Sequence, residues 1–284
     1  MTVALVLLSA FLHAAWNALL RLERDKDRAL VAAIGAASLV ASAVAGVRWA
    51  AGAPAPFPGA ASLAWALAAG GLEVVYFTSL ARALESGPLG PVYTISRGGA
   101  LVLVWPLSVA AFDERLTVAS LAGSAIVLLG LGLSSVGLPA RAARAGRGGA
   151  LAWAVVCAAA IASYHLAYKA ALSAGGGPSA VFAVSLIAAT AINVLRLGAE
   201  GRRISGGIVR TRLPRVLLMG TVCGASFLLL IEALAAGGTG FALTVRNTSV
   251  LFAVGLGWAI GERPQRAQVT GAILVAAGAV LMAW

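Results

Sequence analysis

Charge is what this chain has least of. Asp, Glu, Lys and Arg make up 11% of its 284 residues, and acids are the scarcer sign, ten against 21 bases. Soluble domains carry roughly a quarter of their residues as charges. None of this length could hide the 61% of residues that are hydrophobic, so lipid must solvate most of them. Cysteine is nearly absent too: Cys157 and Cys223 both fall inside apolar runs, which argues against a disulfide framework. No Lys or Arg precedes the first apolar run, so that run lacks the charged start of a signal peptide and reads as a first membrane helix. Metal-ligand clusters, nucleophile triads and phosphate loops are missing. Gly175 to Gly177 precede Pro178 without a Walker lysine. We therefore expect no catalytic residue, no metal site and no cofactor, and not an enzyme. A membrane enzyme acting on lipid or sugar phosphate would need acid, base or metal ligands gathered at one interface.

The net charge of +11 invites a nucleic-acid partner, which its distribution excludes. The bases sit in gaps between apolar runs, not interleaved with aromatics on one face. There they set membrane orientation. A hydrocarbon core of about 30 Å takes roughly 20 residues per helix. This predicts an all-α membrane protein with ten transmembrane helices near 2–20, 28–48, 60–82, 89–111, 117–135, 149–170, 178–197, 214–235, 240–260 and 267–284. Sixteen of the 21 bases fall in gaps that follow odd-numbered spans, from Arg21 to Arg266. That side should be cytoplasmic and both termini outside, in a plasma membrane (the inner membrane of a bacterium).

The chain is also written twice. Glu114 to Gly130 reads ERLTVASLAGSAIVLLG, and Glu262 to Gly278 reads ERPQRAQVTGAILVAAG. Phe77 and Ala83-Leu84 answer Phe227 and Ala233-Leu234, Arg97 answers Arg246, and His13-Ala-Ala-Trp16-Asn17 answers His165-Leu-Ala-Tyr168-Lys169. Five spans per copy is an odd number, so the second copy enters the membrane upside down. The loop charges follow: one Arg after span 2, six after its counterpart, span 7. We expect two inverted five-helix repeats, residues 1–138 and 148–284, with a site between them.

These halves, each closed by a Glu-Arg (Phe112-Asp-Glu-Arg115, Gly261-Glu262-Arg263) before a glycine-containing last helix, resemble the drug/metabolite transporter superfamily, EamA type. His13 to Arg21 and Val92-Tyr93-Thr94-Ile95-Ser96-Arg97-Gly98 resemble one branch of it. The resemblance covers the whole chain. It implies a transporter of small solutes, of a family whose substrates range over amino acids, sugars, nucleosides and drugs. Relatives are often described with cytoplasmic termini, against the charge count here.

Ionisable groups at membrane depth are costly, and so are candidates for function. Glu73 sits near the centre of span 3, with Tyr76 on its face. Arg97 lies two turns into span 4, one turn after Tyr93. Arg246 lies two turns into span 9, beside Asn247. His13 shares a face with Trp16 and Asn17, and His165 with Tyr168. Two guanidiniums from two halves would grip a carboxylate or phosphate, with Glu73 balancing one of them, binding a proton or holding the amine of a zwitterion. A plain ion pair between Glu73 and Arg97, and snorkelling of Arg246 to the surface, are the structural alternatives. The histidines either handle protons or bond across helices, and the aromatics are cavity walls or packing. Glu114 and Glu262 cap the following helix or pair with their own Arg.

The expected function is secondary transport of a small organic metabolite by alternating access. The metabolite is anionic or zwitterionic, such as an amino acid or organic acid. The alternative is a cationic drug or toxin extruder with Glu73 as its cation site. The partners are that small-molecule solute and the lipid bilayer.

Overall fold

A computed structural model describes residues 3–112, 117–136, 149–235 and 246–282. Eleven helices occupy them: α1 (Val3–Arg21), α2 (Lys26–Ala50), α3 (Ala60–Ser86), α4 (Leu89–Phe112), α5 (Val118–Ser134), α6 (Ala150–Ser173), α7 (Pro178–Arg196), α8 (Gly198–Thr211), α9 (Leu213–Ala235), α10 (Ser249–Ala259) and α11 (Arg266–Met282). No strand occurs among the described residues. Helices satisfy every backbone group within one segment, which hydrocarbon demands. Six of them, α1, α2, α3, α6, α7 and α9, are long and apolar enough to cross a membrane; α4, α5, α10 and α11 offer shorter apolar stretches. Leu39, Val118 and Leu129 face outward, as lipid permits, while alanines and aromatics fill the interior.

The helices pack in answering pairs. α3 lies on α6 and α7; α9 lies on α1 and α2. α4 meets α6, and α10 meets α1. α2 packs on α7 and α5 on α11, each against its own counterpart. Glycines permit the closest of these approaches. A methyl on Gly123 would stand 2.7 Å from the Gly278 carbonyl oxygen, and one on Gly130 would stand 2.6 Å from that of Gly271. Both contacts join α5 to α11. Gly70 abuts the Ser185 carbonyl on α7 just as Gly220 abuts the Ala33 carbonyl on α2.

Contacts between loops sort into two ends. At one end Arg21 reaches Glu262 at 2.8 Å, Arg196 pairs with Asp27, and Arg212 and Arg215 pair with Glu23. At the other, Arg48 pairs with Glu232, and the Gly177 amide donates to the Pro56 carbonyl at 2.8 Å. Gaps after odd spans touch one another, and so do gaps after even spans.

Three expectations need correction. The gap between spans 7 and 8 is not a loop: α8 fills it. Its Ile208 and Val209 pack on Ala32, Ala36 and Val216, while Arg202, Arg203 and Arg210 project from it. Arg203 bonds Glu200 and holds that carboxyl below its usual range. A hydropathy reading passes over such a helix because its mean is polar. Span 9 is also interrupted at Thr248 within its described part. Residues 240–245 lie outside the described residues, and Thr248 is a turn between helical Arg246-Asn247 and α10. Glu262 neither caps α11 nor pairs with Arg263. Its carboxylate takes the Arg21 Nε and, at 2.7 Å, the Leu89 amide at the start of α4. Its counterpart Glu114 lies outside the described residues.

Candidate solute-binding site

Two buried arginines, Arg97 and Arg246, converge where α1, α4, α6, α9 and the segment before α10 meet. His13, on α1, is at the centre. Its Nδ1 receives Arg246 Nη2 at 2.9 Å and Trp16 Nε1 at 3.3 Å, with Ser226 Oγ 3.3 Å away. Its Nε2 faces Arg97 Nη2. The second Arg246 nitrogen, Nη1, donates to Ser9 Oγ at 2.8 Å and to the Ser226 carbonyl at 3.0 Å, which Ser9 also bonds at 2.7 Å. Aromatic faces complete the packing: the Arg246 guanidinium lies 5.1 Å from the Phe227 ring and that of Arg97 5.8 Å from the Tyr93 ring. Such contacts compensate part of a cation's lost hydration.

Both guanidiniums are buried, and among the described residues neither has an acidic partner. Arg246 does not snorkel, for it is 2% exposed. Nor does Arg97 pair with Glu73. That carboxylate is held by the Tyr168 hydroxyl, itself 3.0 Å from Ser185 Oγ, between α3, α6 and α7. Glu73 Oε2 has no partner among the described residues. The expected Glu73–Arg97 bond fails for a geometric reason. α3 turns that face toward α6 and α7, and the α4 face bearing Arg97 toward α1.

Arg97 and Arg246 share a wall of one cavity with His165, Asn247, Ala100, Leu101, Val104 and Ile161. About 30 Å³ of it is open to water-sized occupants, room for roughly two waters at about 15 Å³ each. Several buried polar atoms around it have no partner among the described residues: His165 Nε2, Tyr93 OH, Tyr164 OH and Arg246 Nε. The His165 Nδ1 lies 2.7 Å from its own helix's Ile161 carbonyl, which leaves Nε2 for the cavity. The arrangement offers donors and positive charge in a buried pocket, suited to oxygen anions.

Of the residues expected from sequence, Arg97, Arg246, Trp16 and Tyr93 all contact His13, and Asn247 and His165 line the cavity beside them. Asn17 bonds the His13 carbonyl at 2.7 Å, which fixes α1 locally. Tyr76 packs 5.3 Å from Tyr164. Glu73 and Tyr168 form a separate group. Sequence reasoning missed Ser226, Tyr164 and Ser185. Ser226 was findable: it stands 150 residues after Tyr76, at the offset that matches Phe77 with Phe227. Tyr164 lies one helical turn before Tyr168.

Residues 148–284 match the model of the EamA-like transporter family. A search of curated proteins gives no match. Twenty chains of solved structure are similar. One, a crystal structure titled only as that of a protein, superposes with a TM-score of 0.64 at 17% identity, covering 98% of this chain and 94% of the other. At that identity the likeness is one of fold.

Proposed function

We propose that this chain, an EamA-like membrane transporter of small solutes over its second half, carries an organic anion or zwitterion by alternating access, with Arg97 and Arg246 as its grip. The observation that carries the reading is the pair of buried guanidiniums on one cavity that have no acidic partner among the described residues. Two buried cations without a counter-charge are costly, and an anion would offset them. His13, Trp16, Tyr93, Asn247 and His165 shape the pocket; Asn17, Tyr76 and Tyr168 support it from behind. The cavity is too small for a metabolite as it stands, and loading it requires the helices around it to part. Glu73 does not line that cavity, which disfavours the cationic extruder.

Ten spans in two inverted repeats, residues 1–138 and 148–284, give this site its symmetry. The answering helix pairs, the glycine contacts and the two-ended sorting of loops support that arrangement. The end rich in bases faces the cytoplasm and both termini face outside. A reporter fused after Trp284 should be active only in a form that works outside the cytoplasm. The substrate reading is tested in proteoliposomes, by uptake of labelled amino acids and organic acids against labelled organic cations. Uptake of cations alone would overturn it.

A further inference from the structure

Resting on that reading, we propose that His13 is the proton site of the transporter, and that each solute anion enters the pocket together with one proton that His13 receives. The argument is one of donors and acceptors. A guanidinium only donates, and a neutral imidazole has one accepting nitrogen and one N–H. Here both ring nitrogens face guanidinium nitrogens, Arg246 at Nδ1 and Arg97 at Nε2. Trp16 Nε1, another obligate donor, also points at Nδ1. Nδ1 is therefore the accepting atom, and the hydrogen on Nε2 opposes the donors of Arg97. A protonated ring here would oppose both arginines at once. The empty site thus holds a neutral His13 that is already one acceptor short.

An anion on the cavity side changes this. Arg97 lines the cavity and borders His13, so an incoming oxygen placed against its guanidinium draws it from the ring. The arriving negative charge offsets one of the two positive charges beside the ring. Arg246 lines the same cavity and is drawn to the anion as well, so His13 takes a proton from the water that admits the solute, donating from Nε2 toward the anion and from Nδ1 toward Ser226 Oγ, 3.3 Å away. The other groups around the ring do not compete. From α4 there is Tyr93, from α6 His165, from α9 Ser226 and Phe227, and from α1 Trp16; no carboxylate among the described residues faces it. The charge balance is favourable. Empty, the site carries two positive charges; loaded with a monoanion and a proton, it carries two again. The reorienting protein then moves the same charge through the membrane in both directions, and solute and proton travel together.

The test uses acetate, succinate and sulfate, all fully ionised at pH 7.5, so that any proton taken up goes to the protein. Detergent-purified protein in weak buffer with a pH indicator is titrated with each anion while its melting temperature is followed in parallel. The proposal expects an anion that raises the melting temperature to alkalinise the medium by about one proton per site. His13→Gln, which keeps an acceptor without a titratable ring, should still be stabilised by that anion but take up no proton. In vesicles, an inward proton gradient should accelerate uptake by the natural chain and leave the variant unchanged. Stabilisation of the natural chain without alkalinisation overturns the proton site and leaves the anion reading standing. Proton uptake that survives in His13→Gln overturns it as well. If none of the three anions stabilises the natural chain, the anion reading falls and the proton site with it.

Discussion

His13 and His165 stand at matching places in the two halves, each on the first helix, each followed three residues later by a large aromatic. Their surroundings have diverged. His13 is enclosed by two guanidiniums, an indole and a serine, and both its nitrogens are engaged. His165 bonds its own helix through Nδ1 and presents an unpartnered Nε2 to the cavity. The neighbouring third helices differ likewise: Glu73 on α3 corresponds, at the 150-residue offset, to Cys223 on α9. The first of the two stretches holds both the carboxylate, Glu73, and the histidine at which the arginines gather, His13.

Removing the charge from either arginine should have the largest effect. Arg97→Gln or Arg246→Gln loses a charge-assisted, desolvated grip, a cost of roughly 2 kcal/mol or more, which lowers uptake about 30-fold or further. Equal uptake in both variants and the natural chain would leave only a generic transporter. The histidines divide next. His13→Gln should lower uptake about tenfold, and His165→Gln less than about threefold, since only the first is enclosed by the arginines. Parity between the two in vesicle uptake would mean that the site is symmetric after all.

The same comparison explains what the sequence made legible. The all-helical, membrane-spanning character was readable because hydropathy is a local signal. Arg97, Arg246 and His13 were readable because charge at membrane depth is rare enough to stand out. Their convergence on one imidazole was not, because it depends on how α1 turns relative to α4 and α9. Glu73 was drawn toward Arg97 by charge alone, whereas the packing of α3 on α6 gave it Tyr168. α8 escaped because amphipathic helices at an interface lack the apolar mean that marks a span.

Smaller effects concern the helix crossings. Gly70→Ala and Gly220→Ala each drive a methyl into a facing carbonyl, at Ser185 and Ala33. Each should cost about 1–3 kcal/mol of stability, and by similar amounts, seen as a lower melting temperature. A loss in one and none in the other would break the equivalence of the two crossings. Least of all should come from Glu73→Gln, which keeps an acceptor for Tyr168 and replaces Oε2, an oxygen without a partner among the described residues. Stability should change by less than about 1 kcal/mol and anion uptake should persist; loss of transport would revive the cation reading.

The anion grip itself is tested most directly by melting curves of the purified protein with succinate or sulfate, and with tetraphenylphosphonium, for the natural chain and for R97Q/R246Q. A ligand that binds only the folded state at a hundredfold its Kd adds about 2.7 kcal/mol of stability. The account predicts that an anion raises the melting temperature of the natural chain, that the double variant loses this response, and that the cation stabilises neither. Stabilisation by the cation in both proteins, with none by either anion, would contradict it.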